Sequence, residues 1–511
     1  MARAVVPPMT VPTDSDVSQL PLQRRLRRAI VRFQARLEAG SGDRWIPLLI
    51  GAGLTAFLSW AGLSRIDGFL TGVDLAGYSQ ALWLLTEGNV PRASLFGTDV
   101  HVLELRWSFI LYPLALFATV ISPPRLLVVT QAFALGLAVL PLWRLARQVA
   151  KLRIGAASAL AAAYALHPAT HRIGVEDFHP IALAVPAIIG AAYFGATKRW
   201  IWYWVCVVIA LLCRADLGLA LGFWGIVLLG DGERRAGLWT MGVGFVWSLG
   251  FLLVAQPLIA QPGVPDARAG YDGQTLGDVT LTSARAPVVA LQTLFTQDNL
   301  LLLIALLSPV IFLPLLSLRH LLPAAPLAGL LLLSGPLESP FAERAAMLLA
   351  FVMIAAAYAL NRLGNMGVDR VFLDIRLLTT LVSAALLLFV ASSPTSPYHR
   401  PWDWSERDAT DRAVDRAINL VDDDIPMRAS PSTLAGLSAR PWLYALNPDR
   451  PPLAVNMGFP DFIRAVLVVE REVPERTEDE RQRFDQDMAV LYGFELRYAD
   501  RQDGVALYVR E

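Results

Sequence analysis

From residue 46 onward the chain is a succession of apolar runs, each near the length a helix needs to cross a bilayer, about 20 residues, separated by short polar or proline-containing breaks. Eleven runs fit, at roughly 46–64, 125–146, 153–170, 180–197, 200–213, 216–230, 237–257, 299–318, 321–336, 341–361 and 374–392. A further apolar stretch, 105–122, carries Arg106 and Pro113 and ends in Ser122-Pro123-Pro124-Arg125. It reads as an interfacial or re-entrant element rather than a crossing. Ahead of the first run lies a polar arm, 1–44, with Arg24, Arg25, Arg27, Arg28, Arg32 and Arg36. It has no short apolar core and so does not read as a secretory signal peptide. Beyond the last run the pattern changes. Residues 405–419 form a charged amphipathic helix pattern, and 478–491 form another with Phe484, Met488 and Leu491 on one face. Short strand-like segments stand at 442–446, 465–469, 496–498 and 505–509. The expected fold is mainly α: a polytopic membrane protein of about 11 transmembrane helices, followed by a small C-terminal α/β domain of about 100 residues.

Composition agrees with that pattern. Of 511 residues, 55% are hydrophobic and 17% charged, with a mean hydropathy of +0.47, which excludes a disordered chain and a nucleic-acid-binding module. Lys plus Arg (44) balances Asp plus Glu (44), but unevenly along the chain. From Tyr398 onward there are 22 acidic against 15 basic residues, so the membrane body is basic and the tail acidic. Basic residues mark cytoplasmic connections. With the arm inside, Arg144, Arg147, Lys151, Arg153, Lys198, Arg199, Arg234, Arg235, Arg319, Arg362, Arg370 and Arg376 also fall inside. The domain reading is therefore a cytoplasmic arm (1–44), a membrane domain (45–393) with a long first outer loop (65–124), and an extracytoplasmic domain (394–511). Cys206 and Cys213 lie seven apart in one apolar run, about 10 Å along a helix. They cannot pair with each other.

The acids and histidines of the membrane body gather at the outer ends of the runs. In the first outer loop, Val73-Asp74-Leu75-Ala76-Gly77-Tyr78-Ser79-Gln80-Ala81-Leu82-Trp83 leads to Glu87-Gly88 and reads as a short amphipathic helix stopped by glycine, with Asp74 at its N-terminus. An N-cap explains that aspartate without any chemistry. The second outer connection, 171–179, sits within His167-Pro168-Ala169-Thr170-His171-Arg172-Ile173-Gly174-Val175-Glu176-Asp177-Phe178-His179-Pro180. Ionisable groups at a membrane face are costly, so function is the default reading of this cluster. Asp177 and His179 are two apart. In an extended segment they point the same way and can share a metal ion or a proton; on a helix they cannot. The third cluster is Arg214-Ala215-Asp216, and a fourth, Glu338 to Arg344, contains Glu343 beside Arg344. Arg172, Arg214 and Arg344 run against the positive-inside bias. Arginine at an outer face suits bidentate binding of a lipid-linked phosphate, while local ion pairs with Asp216 or Glu343 explain the same residues.

The segment Val73 to Trp83, the Glu176-Asp177-Phe178-His179-Pro180 segment, Arg214-Ala215-Asp216, and the tail stretch from Ala429 through Arg440-Pro441-Trp442-Leu443-Tyr444 resemble the bacterial membrane proteins grouped as domain of unknown function 2079. The layout is similar to the wider GT-C-type glycosyltransferases, which use polyprenyl-phosphate sugars. In those enzymes the N-terminus is cytoplasmic, a catalytic acid follows the first span, and a further acid commonly lies in the second outer loop. Asp74 matches the first position and Glu176 or Asp177 the second.

The resemblance implies sugar transfer at the outer face of the bacterial cytoplasmic membrane, from a polyprenyl-phosphate donor to a hydroxyl of a glycan or protein acceptor. Asp74 would be the general base in a single inverting displacement. The leaving phosphate would be stabilised by Arg172, Arg214 or Arg344, or by a divalent cation such as Mg or Mn on Asp177 and His179. Tyr78, Gln80, His179 and Asp216 are the further candidate substrate contacts. Two rivals stand beside this reading. One is a transporter or flippase, against which the acids lie at span ends rather than at the midplane. The other is a non-catalytic envelope-assembly protein, for which so many spans exceed what an anchor requires.

Overall fold

The structure is a computed structural model describing residues 42–96, 100–103, 107–255, 258, 285–333, 347–366, 370–399, 406–446, 462–473, 477–500 and 503–510. Residues 1–41 of the basic arm, Asp99, and the Glu338 to Arg344 cluster lie outside the described residues, whereas 42–44 belong to the first helix.

The apolar runs fold as helices. Five described segments are long and apolar enough to cross a membrane. They are α1 (Gly42–Asp67), α4 (Pro123–Val149), α10 (Arg234–Ala255), α13 (Leu313–Leu333) and α15 (Ile375–Ser392). The pair α11 (Pro287–Leu294) and α12 (Gln297–Leu307) passes the same test with its continuation to Val310, bent by 49°. Five shorter apolar helices complete the body: α5 (Ile154–Ala165), α7 (Ile181–Ala196), α8 (Trp200–Cys213), α9 (Leu217–Gly230) and α14 (Leu349–Leu363). Each of the eleven apolar runs overlaps one of these segments, the 299–318 run overlaps two, and residues 334–336 and 341–346 of two runs lie outside the described residues. The helix α3 (Leu111–Ala118) has 8 residues, about 12 Å of rise, far short of a hydrocarbon core.

Two readings need correction. Much of the second outer connection, expected as a loop, is the helix α6 (Pro168–Val175). Proline starts it at the first helical position, where its missing N–H is not needed. Secondly, the 299–318 run is not one rod. Ile311 (φ 45°) and Phe312 (φ 56°) are left-handed, so the helix ends there and α13 begins through a tighter turn.

Small residues let the first two long helices meet. A Cβ at Gly51 of α1 would lie 2.7 Å from the Gly136 carbonyl of α4, so the two backbones are in direct contact, as small residues permit between membrane helices. On top of this bundle sits α2 (Val73–Thr86), buried along most of its length and stopped by Gly88 in a left-handed conformation (φ 72°).

The tail forms a five-stranded sheet from β1 (Met427–Ala429), β2 (Leu443–Ala445), β3 (Ala465–Val469), β4 (Glu495–Asp500) and β5 (Val505–Val509), in the spatial order β2-β1-β3-β5-β4. β1 pairs in parallel with β2 and β3, whereas β5 is antiparallel to β3 and β4. The central strand β3 is buried throughout, as a continuous aliphatic run requires. Two capped helices accompany the sheet. In α16 (Ala409–Ile418), Asp408 and Asp411 form a capping box; in α17 (Glu478–Tyr492), Thr477 and Glu480 do the same and Gly493 (φ 67°) closes the other end.

Candidate functional site

The site begins at the N-terminus of α2. The cap position there is Gly72, which has no side chain to accept the first N–H groups. Asp177 supplies one from a distant part of the chain. Its Oδ1 accepts the Gly72 N–H at 2.8 Å, and its Oδ2 accepts the Asp74 and Leu75 N–H groups at 3.1 and 3.3 Å. The Asp74 and Leu75 N–H groups are the donors a local N-cap would take. The absence of a Cβ is what admits the carboxylate: one built on Gly72 would lie 2.5 Å from Asp177 Oδ2.

Asp74 is therefore not the cap. It stands half-buried in the first helical turn, where the helix dipole favours a negative charge. One turn on, the same face carries Tyr78, buried and edge-on to Phe178 with ring centroids 5.5 Å apart. The 176–179 segment thus seats α2 twice, through Asp177 at its end and Phe178 along its side.

What holds the 176–179 segment is a residue not singled out in the sequence, Gln131 of α4. Fully buried, it accepts the His179 N–H at 2.8 Å through Oε1 and donates Nε2 to the carbonyls of Asp177 and Glu176 at 3.3 and 3.5 Å. A lone glutamine in an apolar run was the available signal. Glu176 itself pairs with Arg172 one turn back, at 2.6 Å. Arg65, in the last turn of α1, lies within electrostatic reach of Asp177, Glu176 and Arg172 and donates to the Leu70 carbonyl at 2.5 Å. It too was missed, although in the orientation expected from the sequence it breaks the positive-inside bias as Arg172 does. Two arginines and three carboxylates thus collect at this end of the bundle.

A divalent cation on Asp177 and His179 would have to compete with the end of α2 for the Asp177 carboxylate. Both Asp177 oxygens already accept backbone N–H groups, and the backbone N–H of His179 is held by Gln131. No group of three or more His, Cys, Asp or Glu side chains able to hold a metal exists among the described residues. The other two histidines of the cluster are structural and neutral. His167 Nδ1 accepts the Ala169 N–H, so Nε2 carries the proton it donates to the Leu306 carbonyl. His171 Nε2 faces the Ala165 carbonyl at 2.7 Å, which leaves Nδ1 to accept from the Thr395 hydroxyl at 2.8 Å.

Arg214 and Asp216 form a buried bidentate pair at the α8–α9 corner, Nε to Oδ1 at 3.0 Å and Nη2 to Oδ2 at 2.5 Å. The corner is tied to the first outer loop, where Ser108 Oγ donates to the Cys213 carbonyl and the Ile110 N–H to the Leu212 carbonyl, both at 3.0 Å. Gln80 goes elsewhere. Its amide donates to Ser94 Oγ (3.0 Å) and to the carbonyls of Arg440 (3.1 Å) and Pro441 (3.2 Å), so it fastens α2 to the tail. Arg440 is itself buried there, donating to the Leu437 and Ile425 carbonyls; burial pushes its pKa down to about 10.

The chain belongs to the family described as predicted membrane protein (DUF2079), whose model matches residues 65–493. No curated protein matches it. Among solved structures it is similar to ArnT from Cupriavidus metallidurans, in the crystal structure bound to undecaprenyl phosphate, at 11% identity and a TM-score of 0.52 over 92% of this chain and 98% of that one. The apo crystal structure of the same ArnT gives 12% identity with the same TM-score and coverage. At these identities the likeness is one of fold, and the fold is the GT-C-like membrane fold.

Proposed function

We propose that this protein is a membrane glycosyltransferase that moves a sugar from a polyprenyl-phosphate donor to a hydroxyl of a glycan or protein acceptor at the outer face of the cytoplasmic membrane. The observation that carries the reading is the likeness of fold, over 92% of the chain, to a protein crystallised with undecaprenyl phosphate. Asp74 is the base in this reading. Its carboxylate takes the proton of the acceptor hydroxyl as that oxygen attacks C1 of the sugar, the bond from C1 to the phosphate oxygen breaks, and polyprenyl phosphate departs with the electron pair. Inversion at C1 follows from the single displacement.

The charge on the departing phosphate falls to arginines in this scheme. Arg172, Arg214 and Arg344 are the candidates from the sequence, and Arg65 joins them from its position beside Glu176 and Asp177. Asp177 serves as a positioning residue, since its carboxylate is spent on the end of α2. No step is assigned to a metal ion.

The test is turnover of a radiolabelled polyprenyl-phosphate sugar by the purified protein in nanodiscs with a hydroxyl acceptor mixture. Asp74→Asn is expected to bind the donor and lose transfer by about 100-fold or more, the scale of a removed general base. Unchanged transfer in that variant would remove Asp74 from the chemistry. Failure of the wild type to bind any polyprenyl-phosphate sugar would overturn the donor class.

A further inference from the structure

The helix α7 has one end at the candidate site and the other about 24 Å away, sixteen residues along. At that far end lies a cavity of about 410 Å³, within the range of small-ligand sites. Its apolar lining comes from Ala192 and Gly195 of α7 and Trp224, Val227 and Leu228 of α9. Its polar lining comes from Lys198, Arg319, His320, Asn361 and Arg362, with the carboxylates of Asp231 and Glu233. Within that lining His320 and Tyr358 stack almost parallel, 3.6 Å apart at 5°.

The charges do not cancel. Lys198 pairs with Glu233 at 2.5 Å and Arg319 with Asp231 at 2.6 Å. Arg362 donates to the Leu316 carbonyl at 2.7 Å and has no carboxylate partner among the described residues. Three cations face two carboxylates, so the cavity keeps one positive charge with histidine counted as neutral. Arg319 is also seated by the backbone: it crosses Gly230, where a Cβ would lie 2.7 Å from its Nη2, to reach the Val227 carbonyl at the end of α9. Around the mouth the surface is aliphatic, with Leu315, Leu316, Leu318 and Leu363 exposed. Leucines in that position face lipid tails in a membrane-spanning chain.

We propose that this cavity binds a phosphate group carried by an amphipathic molecule, as a second site at the membrane face opposite the candidate active site. Arg362 and Arg319 supply the forked donors that suit phosphate oxygens, and the exposed leucines favour a phospholipid headgroup as its source. Basic pockets between membrane helices bind anionic headgroups on the same physical grounds. The inference is independent of the sugar-transfer reading.

The experiment uses the full-length protein in nanodiscs of phosphatidylcholine with or without phosphatidylglycerol. Native mass spectrometry reads the phosphatidylglycerol retained after release into detergent, and thermal melting reads the effect of added inorganic phosphate. The variants are Arg362→Gln, at an exposed position, and Ala196→Trp, which fills the mouth without removing a hydrogen bond. The expected result is selective retention of phosphatidylglycerol, weakened about 10-fold in both variants, the scale of one charge-assisted contact. Stabilisation by inorganic phosphate that Arg362→Gln abolishes would instead assign a free phosphate compound to the same site. Retention unchanged in both variants, or no preference for phosphatidylglycerol together with no effect of phosphate, would overturn the proposal.

Discussion

The Asp177 carboxylate accepts the Gly72 N–H at 2.8 Å across 105 residues of chain, and through its second oxygen takes the Asp74 and Leu75 N–H groups in the first turn of α2. A helix end capped from another segment ties the positions of both segments together. Three hydrogen bonds to a charged acceptor outweigh the roughly 1 kcal/mol of an ordinary local cap. Asp177→Ala is therefore expected to lower stability by about 2 kcal/mol and to loosen the first turn that presents Asp74. Gly72→Ala is expected to do the same by pushing the carboxylate away. The check is thermal melting of the two single variants and the double variant. Because both act on one contact, the double should be no worse than the worse single; full additivity would show that Gly72 and Asp177 act separately.

The α2 helix itself was legible in the sequence, because its acidic first turn and Gly88 are local signals, although it is buried on every side rather than amphipathic. The cap was not, because the accepting group lies beyond any local window and Asp74 occupies the place where a cap is sought. For the same reason Gln131 and Arg65 were passed over: each draws its meaning from a segment far away in sequence. The helix α6 hid behind polar composition, although His167-Pro168 is a readable start. In the tail, β3 and β5 were plain from their aliphatic runs, whereas β1 is three residues long and acquires its pairing from neighbours on both sides. Spans followed from hydropathy, but the bend at Ile311–Phe312 is a backbone event that apolar composition does not encode.

Arg214 and Asp216 can be separated from the sugar chemistry by a double-mutant cycle. Both residues are about 6% exposed, so Arg214→Ala takes the bidentate partner from a carboxylate in a poorly solvated corner, expected to destabilise by about 3–5 kcal/mol. Asp216→Ala takes the same contact from the guanidinium and should behave alike. Replacing both with leucine removes the two charges together and is expected to recover most of that loss. Donor binding by the recovered double variant then decides the role of Arg214. Retained binding makes the pair structural, whereas a folded double variant that binds no lipid-phosphate sugar makes Arg214 a phosphate contact.

Gln80 couples the membrane body to the tail through the carbonyls of Arg440 and Pro441. Gln80→Leu leaves the buried Ser94 hydroxyl with one partner fewer and takes a donor from those two carbonyls, at an expected loss of about 1–3 kcal/mol. The effect should be local. Leu443 donates its N–H to Ser94 Oγ at 2.9 Å, so hydrogen exchange at Leu443 is expected to speed up in Gln80→Leu while amides of β5 keep their protection. Equal acceleration across the sheet would mean that the tail unfolds as a unit and that Gln80 is not a specific fastening.

Gln131 offers the cleanest perturbation of the second outer segment, since it lies on α4, outside the segment it holds. Gln131→Leu keeps side-chain bulk but leaves the His179 N–H and the Asp177 carbonyl without this partner. Two buried backbone groups then seek water or rearrange, which is expected to cost about 2 kcal/mol. Gln131→Glu retains the acceptor for His179 and loses the donor for Asp177, so it should fall between wild type and Gln131→Leu in stability. If the 176–179 segment acts only through the placement of α2, the order of transfer rates should follow that same order, with donor KM changing little and kcat carrying the loss. A rise in KM with kcat preserved would show that Glu176 or His179 meets the donor directly, and that positioning of Asp74 is not what the segment contributes.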